Sequence, residues 1–149
     1  LLVGEGQQRE LIQEEIEKLG LDNLIIWGLM PKNKLVGLIQ NACVSLVPLK
    51  GTPILDTSSP NKFFESLAAG VPVVQTTNGW MKDFLAQHQV GFTLDPNSAE
   101  SLVQFVQSLD QRGEILKQMG QKAKVLAAKE FGTPYLAQKM LTGIQEAIL

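Results

Sequence analysis

TSSPNKFFESLAAGVPVVQ, residues 57–75, reads as a loop, a helix and a buried strand in quick succession. Ser59 suits the N-cap, where a side-chain oxygen accepts an otherwise orphaned amide, and Pro60 suits the first helical position, where no amide is needed. Gly70 stops the helix and Pro72 opens a strand over 73–75. Such a start leaves backbone N–H groups near Asn61 and Lys62 at the positive end of the helix dipole, an arrangement that suits a phosphate. Lys62 adds a full charge there. Glu65 follows Lys62 by three residues and Asn61 by four, so the three project from neighbouring positions, while Phe63, Phe64 and Leu67 anchor the helix in a core.

This spacing puts a carboxylate one turn above a bound phosphate, where it can accept hydrogen bonds from vicinal hydroxyls such as those of a nucleotide ribose. Local pattern alone equally allows Glu65 to be a solvated helix residue paired with Lys62.

Outward from this centre, short apolar runs alternate with amphipathic ones. Residues 1–3 form a strand that leads through Gly4-Glu5-Gly6 into a helix over about 7–19, with Leu11, Ile12, Ile16 and Leu19 inward. The Gly-x-Gly turn fits a phosphate loop or simply a tight strand-to-helix turn. A strand over 24–27 ends at Gly28-Leu29-Met30-Pro31, and a helix over 32–41 turns Leu35, Leu38 and Ile39 inward. Gly28 removes a side chain where the strand ends, and Met30 and Pro31 offer apolar surface. A planar base can rest there, although a turn alone also accounts for the glycine. A buried strand over 44–47 precedes the polar loop 48–59. Beyond 75 come a loop at 76–79, a helix over 80–86 and a strand over 91–94. Asn97 and Glu100 make a capping-box pattern for a helix to 109 with Leu102, Val103, Val106 and Leu109 inward. Two further helices, 114–129 and 134–149, carry Leu116, Met119, Ala123 and Leu126, then Leu136, Met140, Ile144 and Ile148 on their inner sides. The alternation predicts one α/β domain over 1–149: a mainly parallel, Rossmann-like sheet with helices on both faces and a ligand edge where the loops at Gly4, Gly28, Pro48 and Thr76 converge.

A chain of 149 residues can bury a substantial core. A net charge of −2, with no long run of either sign, supplies no basic field for nucleic acid or an acidic membrane. No apolar stretch reaches transmembrane length and no signal peptide is visible. The one cysteine, Cys43, excludes an intrachain disulfide, suits a reducing compartment and is expected to fill the core from its apolar run. It has no histidine near it in sequence. The one histidine, His88, lies at a helix end among glutamines, and no metal-ligand cluster is apparent.

The run PNKFFESLAAGVPVV resembles the donor-binding element of retaining, GT-B-fold glycosyltransferases of the large group 1 family with the Glu-x7-Glu motif. In that family the second glutamate precedes an Ala-Gly-x-Pro-Val-Val strand, and Glu65 matches it. The resemblance implies that Glu65 binds the ribose of a nucleotide sugar. Thr57 stands where the first glutamate falls, with Asp56 adjacent but out of register. Residues 2–6 resemble the family's glycine-rich second strand, and residues 26–30 the strand and loop on which the nucleobase rests. Gly79-Trp80 with Lys82-Asp83, and then residues 91–96, are similar to a branch active in O-antigen and exopolysaccharide assembly. Met119-Gly120 and Phe131 also fit.

The resemblance implies the C-terminal, donor-binding half of a GT-B enzyme without its first strand and helix. An Arg and a Lys implied in diphosphate binding, and the whole N-terminal acceptor domain, would precede Leu1. A sheet with its middle strand absent, closed over or supplied by a neighbouring chain, and no turnover by this chain alone, are expected. The implied donor site is Gly4, Gly28, Leu29, Met30, Pro60, Asn61, Lys62 and Glu65, with no catalytic residue assignable and no metal. A UDP- or GDP-sugar is the implied donor substrate, with no other cofactor, and an acceptor glycan or lipid is reached through the N-terminal domain. No nucleic-acid partner is expected; a dimer of such fragments is allowed. Polysaccharide or lipopolysaccharide synthesis, cytoplasmic or membrane-peripheral, is the implied setting. A non-catalytic nucleotide-binding or interaction module is the alternative, favoured by Thr57.

Overall fold

The computed structural model describes residues 1–148. The chain divides into two compact units, residues 1–38 and 39–149, with the boundary inside a helix. In the first unit β1 (Leu2–Val3) pairs in parallel with β2 (Ile26–Trp27), placing Leu2 opposite Ile26 and Val3 opposite Trp27. Helix α1 (Arg9–Leu19) connects them and ends at Gly20, whose φ of 61° is the left-handed C-cap geometry that glycine adopts without penalty. Only Ile16 of α1 is buried. Ile12 is half-buried, whereas Leu11 and Leu19, expected inward, are exposed, because a two-stranded sheet offers too little surface to cover a whole helix face. Helix α2 (Lys32–Gln40) carries half-buried Leu35, Leu38 and Ile39 across the unit boundary.

The second unit holds the sheet that bears the core. Strands β3 (Ser45–Val47), β4 (Val73–Gln75) and β5 (Gly91–Thr93) form a parallel sheet in that order, with Ser45 opposite Val73 and Val73 opposite Gly91. The central strand β4 is fully buried, as a strand covered on both faces must be. Helix α3 (Asn61–Ala69) and α4 (Trp80–His88) pack against this sheet. Together with α6 (Gly113–Glu130) they build one core from Val47, Phe63, Leu67, Val73, Met81, Leu85, Val90, Ala123 and Ala127. Phe63 lies at its centre, edge-on to Phe64, Trp80 and Phe84. Its wholly buried ring, rather than the half-buried Phe64, is the principal anchor of α3.

The small residues of α6 explain its close seat on α3. Leu116, Gly120, Ala123 and Ala127 form its buried face, and a Cβ on Gly120 would lie 2.3 Å from the carbonyl oxygen of Gly70, the left-handed C-cap of α3. The parallel α/β expectation therefore stands, and the strands fall into a two-stranded and a three-stranded sheet.

Several local expectations are corrected. Pro60, not Ser59, is the N-cap of α3; its ψ of 137° is extended, so helical geometry begins at Asn61 and no side chain caps the end. Helix α5 (Ala99–Gln107) is capped by Ser98, whose Oγ accepts from the Ser101 amide at 3.1 Å. Asn97 is engaged differently: its backbone N–H donates to the Asp95 carboxylate. Phe105 is the buried residue of α5, packed on Phe92 with the Arg112 guanidinium over both rings, while Leu102, Val103 and Val106 are exposed. Leu46 is exposed, and so is Cys43, because β3 starts only at Ser45 and leaves the cysteine in the turn before it. On α7 (Thr133–Ile148) the apolar side chains Leu136, Met140, Ile144 and Ile148 are exposed rather than inward. Amphipathic spacing identifies an apolar face, not its cover.

Candidate functional site

Helix α3 begins where the chain, running extended through Ser58 and Pro60, turns into its first helical residues. Pro60, Asn61, Lys62 and Glu65 thus share one helix start. Asn61 and Lys62 are exposed and Glu65 is half-buried, while Phe63, Ser66 and Leu67 face inward. Ser66 fixes the other side of the first turn: its hydroxyl lies 2.6 Å from the Lys62 carbonyl and 2.7 Å from the Ser45 hydroxyl on β3. The arrangement presents a cation and a carboxylate at the positive end of a helix whose inner face is locked into a core.

The residues before α3 rest on the loop that follows β4. Gln75 ends that strand wholly buried, yet every polar atom of its amide is satisfied: Nε2 donates to the Thr77 carbonyl at 2.9 Å and to Thr93 Oγ1 at 2.7 Å. Oε1 accepts from the Thr77 amide at 2.6 Å and from the Thr77 hydroxyl at 2.7 Å. The neighbouring Thr76 hydroxyl takes the Leu49 amide at 2.8 Å and gives its proton to the Leu49 carbonyl at 2.6 Å, which ties in the exit of β3. Above this loop a 3₁₀ turn, Pro53–Thr57, is held by Asp56, whose carboxylate accepts from the Asn78 amide at 2.9 Å. The Trp80 indole N–H donates to the Ser58 carbonyl at 2.9 Å. Thr57 donates to the Ile54 carbonyl at 2.9 Å. The contacts of Thr76 with Leu49, Asn78 with Asp56 and Gln75 with Thr93 join residues far apart in sequence, so sequence reading gave no supporting role to Gln75 or Asn78 and placed Thr76 and Gly79 only by loop and resemblance. A polar residue inside an otherwise apolar strand was the one available signal.

In the first unit the loops at Gly4 and Gly28 lie side by side. Gly4 has a φ of 134°, and its amide donates to the Trp27 carbonyl at 3.0 Å. The Cβ that Gly28 lacks would stand 3.2 Å from Glu5 Oε1 and 3.8 Å from an Arg9 guanidinium nitrogen. Arg9 itself bridges Glu5 at 2.6 Å and donates to the Gly4 carbonyl at 3.1 Å, putting a guanidinium at this edge that sequence reading did not single out. Leu29 is 81% exposed and Met30 half-buried, so the Gly28 loop offers apolar surface at its tip. The expected site residues accordingly fall into two sets: Gly4, Gly28, Leu29 and Met30 in one unit, and Pro60, Asn61, Lys62 and Glu65 in the other. Among the described residues no three His, Cys, Asp or Glu side chains come together to hold a metal ion.

Parallel strands connected through helices, with the candidate groups at strand-to-helix connections, define a Rossmann-like α/β fold. The family model for glycosyl transferases group 1 matches residues 1–126, and the chain belongs to that family. A sucrose synthase of Denitrovibrio acetiphilus is 24% identical over 143 residues, which cover 93% of this chain and 18% of that protein. Among solved structures, the sucrose-phosphate synthase of Thermosynechococcus elongatus superposes with a TM-score of 0.80 at 19% identity, over 99% of this chain and 38% of that one. Anabaena HepE in complex with UDP gives a TM-score of 0.73 at 17% identity, over 97% of this chain and 40% of that one. The fold is that of the C-terminal half of a GT-B glycosyltransferase, and the chain spans well under half the length of each of these proteins.

Proposed function

We propose that this chain is the donor-binding part of a retaining glycosyltransferase that uses a UDP- or GDP-sugar in polysaccharide or lipopolysaccharide-type synthesis. The observation that carries the reading is the start of α3, where exposed Lys62 and half-buried Glu65 flank an end without a side-chain cap. In this reading the helix end and Lys62 stabilise the diphosphate as it leaves and Glu65 accepts from the ribose hydroxyls; considered by itself, the first unit offers Gly28, Leu29 and Met30, beside Gly4, as a surface for a base. The acceptor, a glycan or lipid, is held by another domain, and this chain alone does not turn over. No cofactor beyond the donor takes part, and the setting is cytoplasmic or membrane-peripheral. HepE, a structural neighbour, has been solved with UDP, which supports testing that nucleotide first.

Calorimetric titration with UDP and GDP tests the reading. A charged hydrogen bond to a ligand is worth on the order of 1.5–3 kcal/mol, so Glu65→Gln is expected to weaken binding roughly tenfold or more. Wild-type affinity in that variant, or no binding by the parent chain, rejects the assignment. A second reading, a nucleotide-binding module without transferase chemistry, is favoured by Thr57, whose hydroxyl is spent on the Ile54 carbonyl where the resemblance places an acidic side chain. Binding of UDP without any transfer by a chain completed with its acceptor domain would support it.

A further inference from the structure

We infer that Asp56 and Gly79 are positioning residues for the donor, a brace that fixes the segment delivering Pro60 to the start of α3; the inference rests on the donor reading above. The brace has a rigid foundation. Gln75, buried and fully hydrogen-bonded, holds Thr77 by its amide, carbonyl and hydroxyl, so the backbone leading into Asn78 and Gly79 is set by the core. On that foundation the 3₁₀ turn is fastened at three points: the Asn78 amide on the Asp56 carboxylate, the Trp80 indole on the Ser58 carbonyl, and the backbone of Asp56 against Gly79. The last contact is the tightest. A Cβ on Gly79 would lie 2.0 Å from the Asp56 carbonyl oxygen and 2.6 Å from its carbon, so only glycine lets the two backbones approach this closely.

From Asp56 to Pro60 the path is short and stiff. Ser58 and Pro60 are both extended, at ψ of 145° and 137°, and proline fixes its own φ. A displacement at Asp56 is therefore handed on to the first turn of α3. Asp56 serves here as an acceptor for a backbone amide, so asparagine can replace it and alanine cannot. A carboxylate acting on the donor by its charge would not tolerate asparagine.

The test uses Asp56→Ala, Asp56→Asn and Gly79→Ala, each checked for native helix content by circular dichroism. Hydrogen exchange without ligand reads the Leu55 and Ser58 amides, which donate to the Thr52 and Leu55 carbonyls within the braced turn. UDP titration well below the melting temperature reads the site. Asp56→Ala and Gly79→Ala are expected to speed exchange and weaken UDP roughly tenfold each, with Asp56→Asn close to wild type in both. Unchanged exchange in Asp56→Ala overturns the brace whether or not UDP binds. Faster exchange with unchanged UDP affinity shows a structural contact only and overturns the positioning role. Equal loss in Asp56→Asn and Asp56→Ala points to a charge contact and overturns it as well. A parent chain that binds neither UDP nor GDP rejects the donor reading and the brace's donor role with it, while the exchange result still decides whether the brace exists.

Discussion

Gly120→Ala sets two known effects against each other at one position. In an open helix interior the replacement stabilises by about 1 kcal/mol, because glycine carries the larger backbone entropy cost. At Gly120 the new methyl would meet the Gly70 carbonyl oxygen at 2.3 Å, with the Gly70 carbonyl carbon at 3.3 Å and Pro72 Cδ at 3.7 Å. The obstacle is backbone, held at a left-handed C-cap with φ of 78°, so it cannot rotate aside as a side chain would. Contact is restored only if α6 withdraws from α3, which loosens Ala123 and Ala127 in the core they share with Phe63 and Leu67. Overpacking of this kind costs about 1–3 kcal/mol, and a rigid obstacle places it at the upper end. The net expectation is a loss of about 2 kcal/mol, or about 8 °C in melting temperature for a unit of roughly a hundred residues. Gly143→Ala, in the interior of α7 with nothing within 4 Å of the added Cβ, is the matched control and is expected to be neutral or slightly stabilising. A Gly120→Ala chain that melts at or above the parent temperature would refute the claim that close approach of α6 decides this contact.

Phe63→Ala removes a ring that is 0% exposed and is expected to cost about 3–5 kcal/mol in urea unfolding, more than the same change at half-buried Phe64. Gln75→Leu leaves the buried Thr77 amide without its acceptor, and about 1–3 kcal/mol should be lost for that group alone, read as a lower urea midpoint at unchanged slope. Lys62→Ala should weaken UDP more than uridine, and the difference should shrink as salt is raised, since the contribution is charge; equal loss for both ligands at all salt concentrations would remove Lys62 from the diphosphate.

The elements legible in the sequence are those specified by local chemistry. Helix α3 and strand β4 are punctuated by Pro60, Gly70 and Pro72, and α6 carries Leu116, Met119, Ala123 and Leu126 at helical spacing; all three appear where expected within a residue or so. What the sequence hides is choice between neighbours. Asn97 and Ser98 both suit an N-cap, and Ser98 takes the position, its Oγ accepting from the Ser101 amide while the Asn97 backbone N–H donates to the Asp95 carboxylate in the preceding turn. Periodicity favoured Leu102, Val103 and Val106 on α5, yet Phe105 is inside because Phe92 on β5 and Arg112 supply a partner for its ring.

The candidate site divides along the same line. Asn61, Lys62 and Glu65 are legible because a helix start imposes their proximity through spacing alone. The support beneath them is not, because it depends on contacts between residues more than twenty positions apart: Leu49 with Thr76, Asp56 with Asn78, Ser58 with Trp80. None of the three leaves a periodic trace, and each involves a backbone group that nearly every residue type carries. Gly79 shows the limit most clearly. In sequence it follows Asn78 as an ordinary turn pair, and its φ of −86° is open to any residue. The requirement for glycine comes from the Asp56 backbone lying where a side chain would stand. A chain can therefore display its ligand-facing groups in a local motif while the geometry that aims them is written in steric exclusions between distant loops.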